Sequence, residues 1–211
     1  MKILGLFLVS VTLLFQTSLS WAQSIPNSGF EELSNGKPLG WKLTTYSSPN
    51  TVPMAAEDAG FIRGKASLHL KHESAVQPEP RKPVVMITDE PLKDIFGGVE
   101  YELSFYAKSP VAGQKLDAVF YTNADKKPHF YKGKTFQLTE TWTKYKFPLK
   151  LMTAEEWDNR GLYIRFDLPC GEAYIDEVAI SGTLTPEQKA LMDKKAALEA
   201  LAPKNIMVNP G

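Results

Sequence analysis

The stretch Tyr101-Glu102-Leu103-Ser104-Phe105-Tyr106-Ala107-Lys108 decides the fold. On an extended chain Tyr101, Leu103, Phe105 and Ala107 fall on one side, and Glu102, Ser104, Tyr106 and Lys108 on the other. Period two sorts apolar from polar here, so the stretch reads as a strand with one buried face. The pattern recurs on either side of it. Residues 66–72 put Leu68 and Leu70 opposite His69 and Lys71. Residues 116–121, 142–149, 162–168 and 174–180 alternate likewise, and residues 83–88 make a further strand. Fifteen prolines and fourteen glycines punctuate the chain, and residues 78–83 read as a stiff loop. Short strands between Gly/Pro turns, with no interleaved helices, define an all-β fold, a two-sheet antiparallel β-sandwich.

The first residues have a different character. Met1-Lys2 is a positive start, residues 3–15 are almost unbroken apolar, and Ser20-Trp21-Ala22 supplies small residues where a signal peptidase reads. The apolar run is short for a membrane span and ends in Gln16, Thr17 and Ser18. Residues 1–22 are expected to be a signal peptide, and the mature chain to be secreted, extracellular or periplasmic. Residues 23–182 then form the sandwich.

Residues 183–211 form a tail. Thr185-Pro186-Glu187-Gln188 is a capping box with proline at the first helical position, which predicts a helix. Leu191, Leu198 and Leu201 give it a thin apolar stripe, suited to docking on the sandwich or to a spacer. Beyond Pro203, Asn205 to Gly211 echoes Ser24 to Gly29, so a second module beginning there and a frayed tail are both open.

The formal net charge of zero argues against nucleic acid, whose phosphates need a basic surplus. Cys170 is the only cysteine, so no internal disulfide forms, and its Pro169-Cys170-Gly171 turn reads as structural. His69 and His72 point to opposite faces of a strand and cannot pair on one metal there. Gly60 to Ser67 mimics a phosphate loop, one residue short and with a strand where a helix is needed. No nucleophile elbow appears. Catalysis is not expected. Should it occur, Asp167 is the acid to suspect, because Tyr163 and Arg165 share its face.

Two end motifs carry a family likeness. Asn27-Ser28-Gly29-Phe30-Glu31-Glu32, closing on Gly40-Trp41, pairs with Tyr174-Ile175-Asp176-Glu177-Val178 far downstream. Gly64-Lys65-Ala66-Ser67-Leu68, the strand from Tyr101 to Lys108, and Trp142-Thr143-Lys144-Tyr145 lie between them in order. Over residues 24–182 the set resembles carbohydrate-binding module families 4 and 9. The resemblance implies a galactose-binding-domain-like jelly roll whose concave sheet carries the sugar site, with structural calcium near the chain's entrance and exit. The implied function is binding a polysaccharide or oligosaccharide without cutting it, alone or beside a glycoside hydrolase. The alternative is an extracellular adhesion or scaffold sandwich that binds a protein partner.

Parity supports the calcium separately. Tyr174, Asp176, Val178 and Ile180 share one face of a regular strand, which sets a carboxylate on the apolar side. A buried carboxylate needs a partner, and a hard cation with oxygen ligands is one remedy. An ion pair, or capping of backbone amides, is another. The calcium reading uses Glu31 and Asp176, and the resemblance adds backbone oxygen at Lys65. For sugar, outward aromatic and polar side chains are needed. Tyr106 and Lys108 form one outward set, Lys144 and Lys146 a second, and Tyr163, Arg165 and Asp167 a third; two of these sets are expected to line one sheet face. Tyr106, Lys108, Tyr163 and Arg165 are the candidate contacts, together with Trp157 on a polar loop. Phe130 and Tyr131 are expected in another loop. Trp41 and Trp142 are expected in the core.

Overall fold

A computed structural model describes residues 19–23, 25–43, 54–55, 60, 62–72, 83–92, 95, 97–122, 131–150 and 161–201. Their strands are β1 (Leu19–Gln23), β2 (Leu33–Ser34), β3 (Lys37–Pro38), β4 (Trp41–Leu43), β5 (Met54–Ala55), β6 (Leu68–Lys71), β7 (Val84–Thr88), β8 (Glu100–Lys108), β9 (Lys115–Thr122), β10 (Tyr131–Gln137), β11 (Thr143–Lys150), β12 (Leu162–Leu168) and β13 (Glu172–Leu184). A helix, α1 (Pro186–Leu201), follows. One sheet runs β11-β8-β13-β6-β5, with β1 also on β13; a five-stranded sheet runs β10-β9-β12-β7-β4. The described pairings are antiparallel.

The alternating apolar residues meet between the sheets. Phe105 of β8 packs against Phe166 of β12 at 5.0 Å, and Phe120 of β9 against Phe147 of β11 at 5.5 Å. Trp41 joins them, 6.0 Å from Phe166 and nearly buried, as its position in the motif implied. The core therefore fixes which residues of each sheet face outward.

Three local features differ from the regular pattern. β13 is not regular: its register to β8 shifts between Asp176 and Ala179, and Glu177 takes φ 50°. A bulge reverses parity beyond it. Ala173, Ile175, Val178 and Ile180 face the core, and Asp176 shares the outward side with Tyr174. Tyr131 opens a strand, β10, where a loop was expected. Trp142 is only half-buried, with the Lys108 ammonium 5.1 Å from its ring.

At the C-terminal end the capping box forms as read: the Thr185 amide donates to Gln188 Oε1, and the Gln188 amide to Thr185 Oγ1. Leu191 and Leu198 remain exposed on α1, so these two do not dock on the sandwich. At the other end β1 spans the expected cleavage point after Ala22 and pairs with Ile180–Leu184. Residues 1–18 and 202–211, Phe130 and Trp157 lie outside the described residues. No helix among the described residues is long and apolar enough to cross a membrane.

Candidate functional site

The outer face of the five-stranded sheet is built in rows. Tyr131, Tyr121 and Tyr163 stand directly opposite one another on β10, β9 and β12. Tyr121 and Tyr163 stack at 5.3 Å and 22°. In the next row Gly133, Val119, Arg165, Ile87 and Lys42 cross all five strands. A Cβ on Gly133 would stand 3.3 Å from Val119, so the bare glycine keeps this row low. The third row sets Thr135, Asp117, Asp167 and Val85 side by side. Val85, Ile87 and Val119 point outward yet are nearly inaccessible. This face is thus a packed floor and not an ordinary solvated surface.

Arg165 organises that floor. Its guanidinium lies 5.5 Å from the centroids of both Tyr121 and Tyr131, donates to the Tyr131 hydroxyl at 3.2 Å, and pairs with Asp167 at 2.5 Å. Burial pushes the Asp167 carboxyl up to about 6; Asp117 pushes the same way, and Arg165 only partly opposes it. Asp167 Oδ1 and Arg165 Nε are buried without a hydrogen-bond partner. Asp117 accepts from Thr135 Oγ1 at 2.5 Å. At the rim Lys42 pairs with Asp89 at 2.8 Å. The result is a tyrosine row beside a charged pair, which offers ring faces to a pyranose and polar groups to its hydroxyls.

Tyr106 and Lys108 lie elsewhere. They stand on β8, whose outward side belongs to the other sheet, together with Lys144 and Lys146 of β11. Two outward sets do share one face, as expected, but Tyr163, Arg165 and Asp167 occupy the opposite side of the sandwich. Tyr121 and Asp117 were missed, although the alternation of residues 116–121 puts both on the outward side of β9.

The expected metal ligands come together at one corner. Glu31 accepts from the Lys65 amide at 2.8 and 2.9 Å and from the Ala66 amide at 3.1 Å. Asp176, with no exposed surface, accepts from the amides of Ile62 (2.7 Å), Arg63 (3.3 Å) and Glu177 (2.7 Å). Its burial raises the carboxyl above its usual range, against the pull of those three amides. Capping of backbone amides, one of the open alternatives, is therefore present. Gly64 is required here: it has φ 85°, and a Cβ would stand 2.0 Å from Glu31 Oε1. Ser28, Gly29, Glu31, Arg63, Gly64 and Glu177 line a cleft of about 430 Å³. Among the described residues no group of three or more His, Cys, Asp or Glu is arranged to hold a metal, and none of Glu31, Asp176 and Glu177 makes an ion pair. The donors here are oxygen only and rich in carboxylate, the type a hard cation takes, but the oxygens of Glu31 and Asp176 already accept from backbone amides.

The end motif explains how this corner is held. Asn27 Nδ2 donates to the carbonyls of Glu32 and Leu39, and Trp41 Nε1 to that of Pro26. Phe30, forced to φ 59°, is fully buried 5.2 Å from Trp41. The Val178 amide donates to the Ser28 carbonyl, tying the chain's entrance to its exit.

The fold is a jelly-roll sandwich of the kind several carbohydrate-binding modules also have. The chain is similar to a family 4 module (TM-score 0.52, 17% identity, 76% of this chain and 100% of that one). It is similar to the CBM22-1 xylan-binding domain of Paenibacillus barcinonensis Xyn10C (0.51, 18%, 79% and 94%). The enzymatically active domain of bacteriophage CBA120 tailspike protein 4 also matches (0.57, 14%, 77%), and this chain spans only 21% of that structure. No protein-family model and no curated protein matches the sequence.

Proposed function

We propose that this protein is a secreted, non-catalytic module that binds a neutral polysaccharide on the outer face of the five-stranded sheet. The observation that carries the reading is the row Tyr131, Tyr121 and Tyr163 beside Arg165. A chain laid across β10, β9 and β12 meets three aromatic rings in succession, and Arg165, held in place by Asp167, lies alongside to meet its hydroxyls. The likeness to xylan-binding domains makes a β-linked pentose or hexose polymer, such as xylan, the first ligand to try. An associated glycoside hydrolase would benefit by being held on its substrate.

Calorimetry with xylohexaose tests this. Tyr163→Ala and Tyr121→Ala should each weaken binding roughly tenfold, in keeping with about 1–1.5 kcal/mol per aromatic contact. The same incubation should release no reducing ends. Normal binding by both variants refutes the proposed site; hydrolysis lost on Asp167→Asn refutes the non-catalytic reading.

Calcium belongs to this proposal as a structural ion. Glu31, Asp176 and the Lys65 carbonyl would hold it, and it would neutralise carboxylates where the chain enters and leaves the sandwich. An ion that binds only the folded state raises the unfolding midpoint. Chelator should lower that midpoint by about 3–6 °C, equivalent to 1–2 kcal/mol for a domain of this size. Asp176→Asn should remove the response, and identical melting curves with and without chelator exclude the ion.

A further inference from the structure

Beside the tyrosine row, two carboxylates share one cation. Asp117 of β9 stands directly opposite Asp167 of β12. Like charges in that relation destabilise a sheet, because directly opposed Cβ atoms lie only about 4.5–5.5 Å apart. Arg165 pairs with Asp167, and Asp117 makes no ion pair among the described residues. Asp117 Oδ1 instead accepts from the Thr135 hydroxyl on β10 at 2.5 Å, which fixes the carboxylate in its row. Two acids and one base leave a negative charge unopposed. Asp167 is the acid that is cheaper to neutralise, since it is 92% buried with Oδ1 unpartnered.

What Asp167 holds is Arg165. Arg165 Nη2 donates to Asp167 Oδ2 on one side and to the Tyr131 hydroxyl, at 3.2 Å, on the other. The same guanidinium lies 5.5 Å from the ring centroids of Tyr121 and Tyr131. Arg165 Nε has no partner, so a single carboxylate oxygen ties the guanidinium down from the side away from the rings. An ionised Asp167 does so with a charge-assisted bond; a neutral one grips roughly half as strongly.

The charged and titratable groups on this face come from four strands. β9 supplies Asp117, Lys115 and Tyr121, β12 supplies Arg165 and Tyr163, β10 supplies Tyr131, and β4 supplies Lys42 at the rim beside Asp89. β7 contributes Val85 and Ile87, which carry no charge. Arg165 and Asp117 are the two whose charge acts on Asp167, in opposite senses. Burial pushes Tyr121 to higher pH, and the hydrogen bond to Asp89 does the same for Lys42, so neither loses its proton near neutrality.

We propose that Asp117 is a positioning residue for glycan binding, acting through Asp167 to set how firmly Arg165 is held beside the tyrosine row. The inference rests on the tyrosine row being the glycan site. Its consequence is that one proton regulates that site. Near neutral pH Asp167 is ionised, Arg165 is fixed, and the row is ready for a sugar. In mild acid the Asp117 charge helps Asp167 to keep a proton, Arg165 is loosened, and the sugar is bound less tightly.

Calorimetry of the full chain with xylohexaose between pH 5 and pH 7.5 tests this. The sugar has no group that titrates there, so any pH dependence belongs to the protein. Wild-type affinity should fall roughly tenfold from pH 7.5 to pH 5, which is a unit below the Asp167 value of about 6. Asp117→Asn keeps an acceptor for Thr135 and removes the charge. Its affinity should fall only about fourfold over the same range, as a half-unit downward shift of Asp167 requires. At pH 6 the wild-type binding heat should change with the ionisation enthalpy of the buffer, reporting release of roughly half a proton per sugar, and Asp117→Asn should release less. Asp167→Asn should bind weakly and to the same extent at both ends of the range. Identical pH profiles for wild type and Asp117→Asn overturn the proposal. So does a proton count of zero, or loss of binding by Asp117→Asn at every pH, which would make Asp117 a direct contact or a structural group. If wild type binds xylohexaose, loses it in Tyr163→Ala and shows no pH dependence, the tyrosine row stands and this inference alone falls. If wild type binds none at any pH, the row itself fails and the inference with it.

Discussion

On the five-stranded sheet the cation is Arg165, sunk among tyrosines and tied to a carboxylate that burial has pushed up to about 6. On the other sheet the cations are lysines resting on rings at the surface. Side-chain chemistry matches this division. A guanidinium offers a flat, forked donor that stacks and pairs at once, so it suits a packed floor. An ammonium is a compact, strongly hydrated charge on a flexible stem, so it suits an exposed position over an aromatic ring. The first face carries structural weight of its own, and the second should carry little.

Replacement of the two kinds of cation breaks or sharpens this contrast most directly. Arg165→Ala leaves Asp167 buried without its partner, which should cost about 3 kcal/mol in urea unfolding near neutral pH. Lys144→Ala should stay within about 0.5 kcal/mol of the wild type. Equal effects would mean that the two faces do not differ in this way.

A pH series gives a somewhat smaller effect. Asp167 has a raised folded pKa, so the folded state holds its proton more tightly than the unfolded chain does. Its contribution to stability is full below pH 3.8 and is lost as pH rises to about 6. The shift amounts to roughly 2–3 kcal/mol. The stability of Asp167→Asn relative to wild type should therefore climb between pH 4 and pH 7 and level off above. Parallel curves over that window would show that Asp167 ionises as an exposed carboxylate does.

Much of this was legible in the chain. Every strand assigned by alternation forms, because a side chain's face is set by its immediate neighbours. β10 escaped detection because Lys132 and Lys134 take the alternate positions where an interior strand would place apolar residues. The bulge at Glu177 was invisible for a related reason: parity extrapolates smoothly through a residue that leaves the extended region, and nothing in Asp176-Glu177-Val178 signals the turn. The carboxylates of the entrance corner were found nonetheless, since Gly29, Glu31 and Asp176 lie in motifs whose order along the chain is preserved. Trp142 is expected in the core, yet it is half-buried with the Lys108 ammonium over its ring, and alternation alone does not tell a ring at the end of a strand from one in its interior. The separation of Tyr106 from Tyr163 was the least accessible feature. It depends on which strand pairs with which across long stretches of sequence, and alternation within one strand carries no information about that.

Where a neutral glycan lies is the central question, and chemical-shift mapping during a xylohexaose titration answers it residue by residue. The shifts should concentrate on Tyr121, Tyr131, Tyr163 and Arg165, leaving Tyr106, Lys108 and Trp142 still. Shifts centred on the outward side of β8 and β11, or none anywhere on the five-stranded sheet at saturating sugar, would contradict the proposed site.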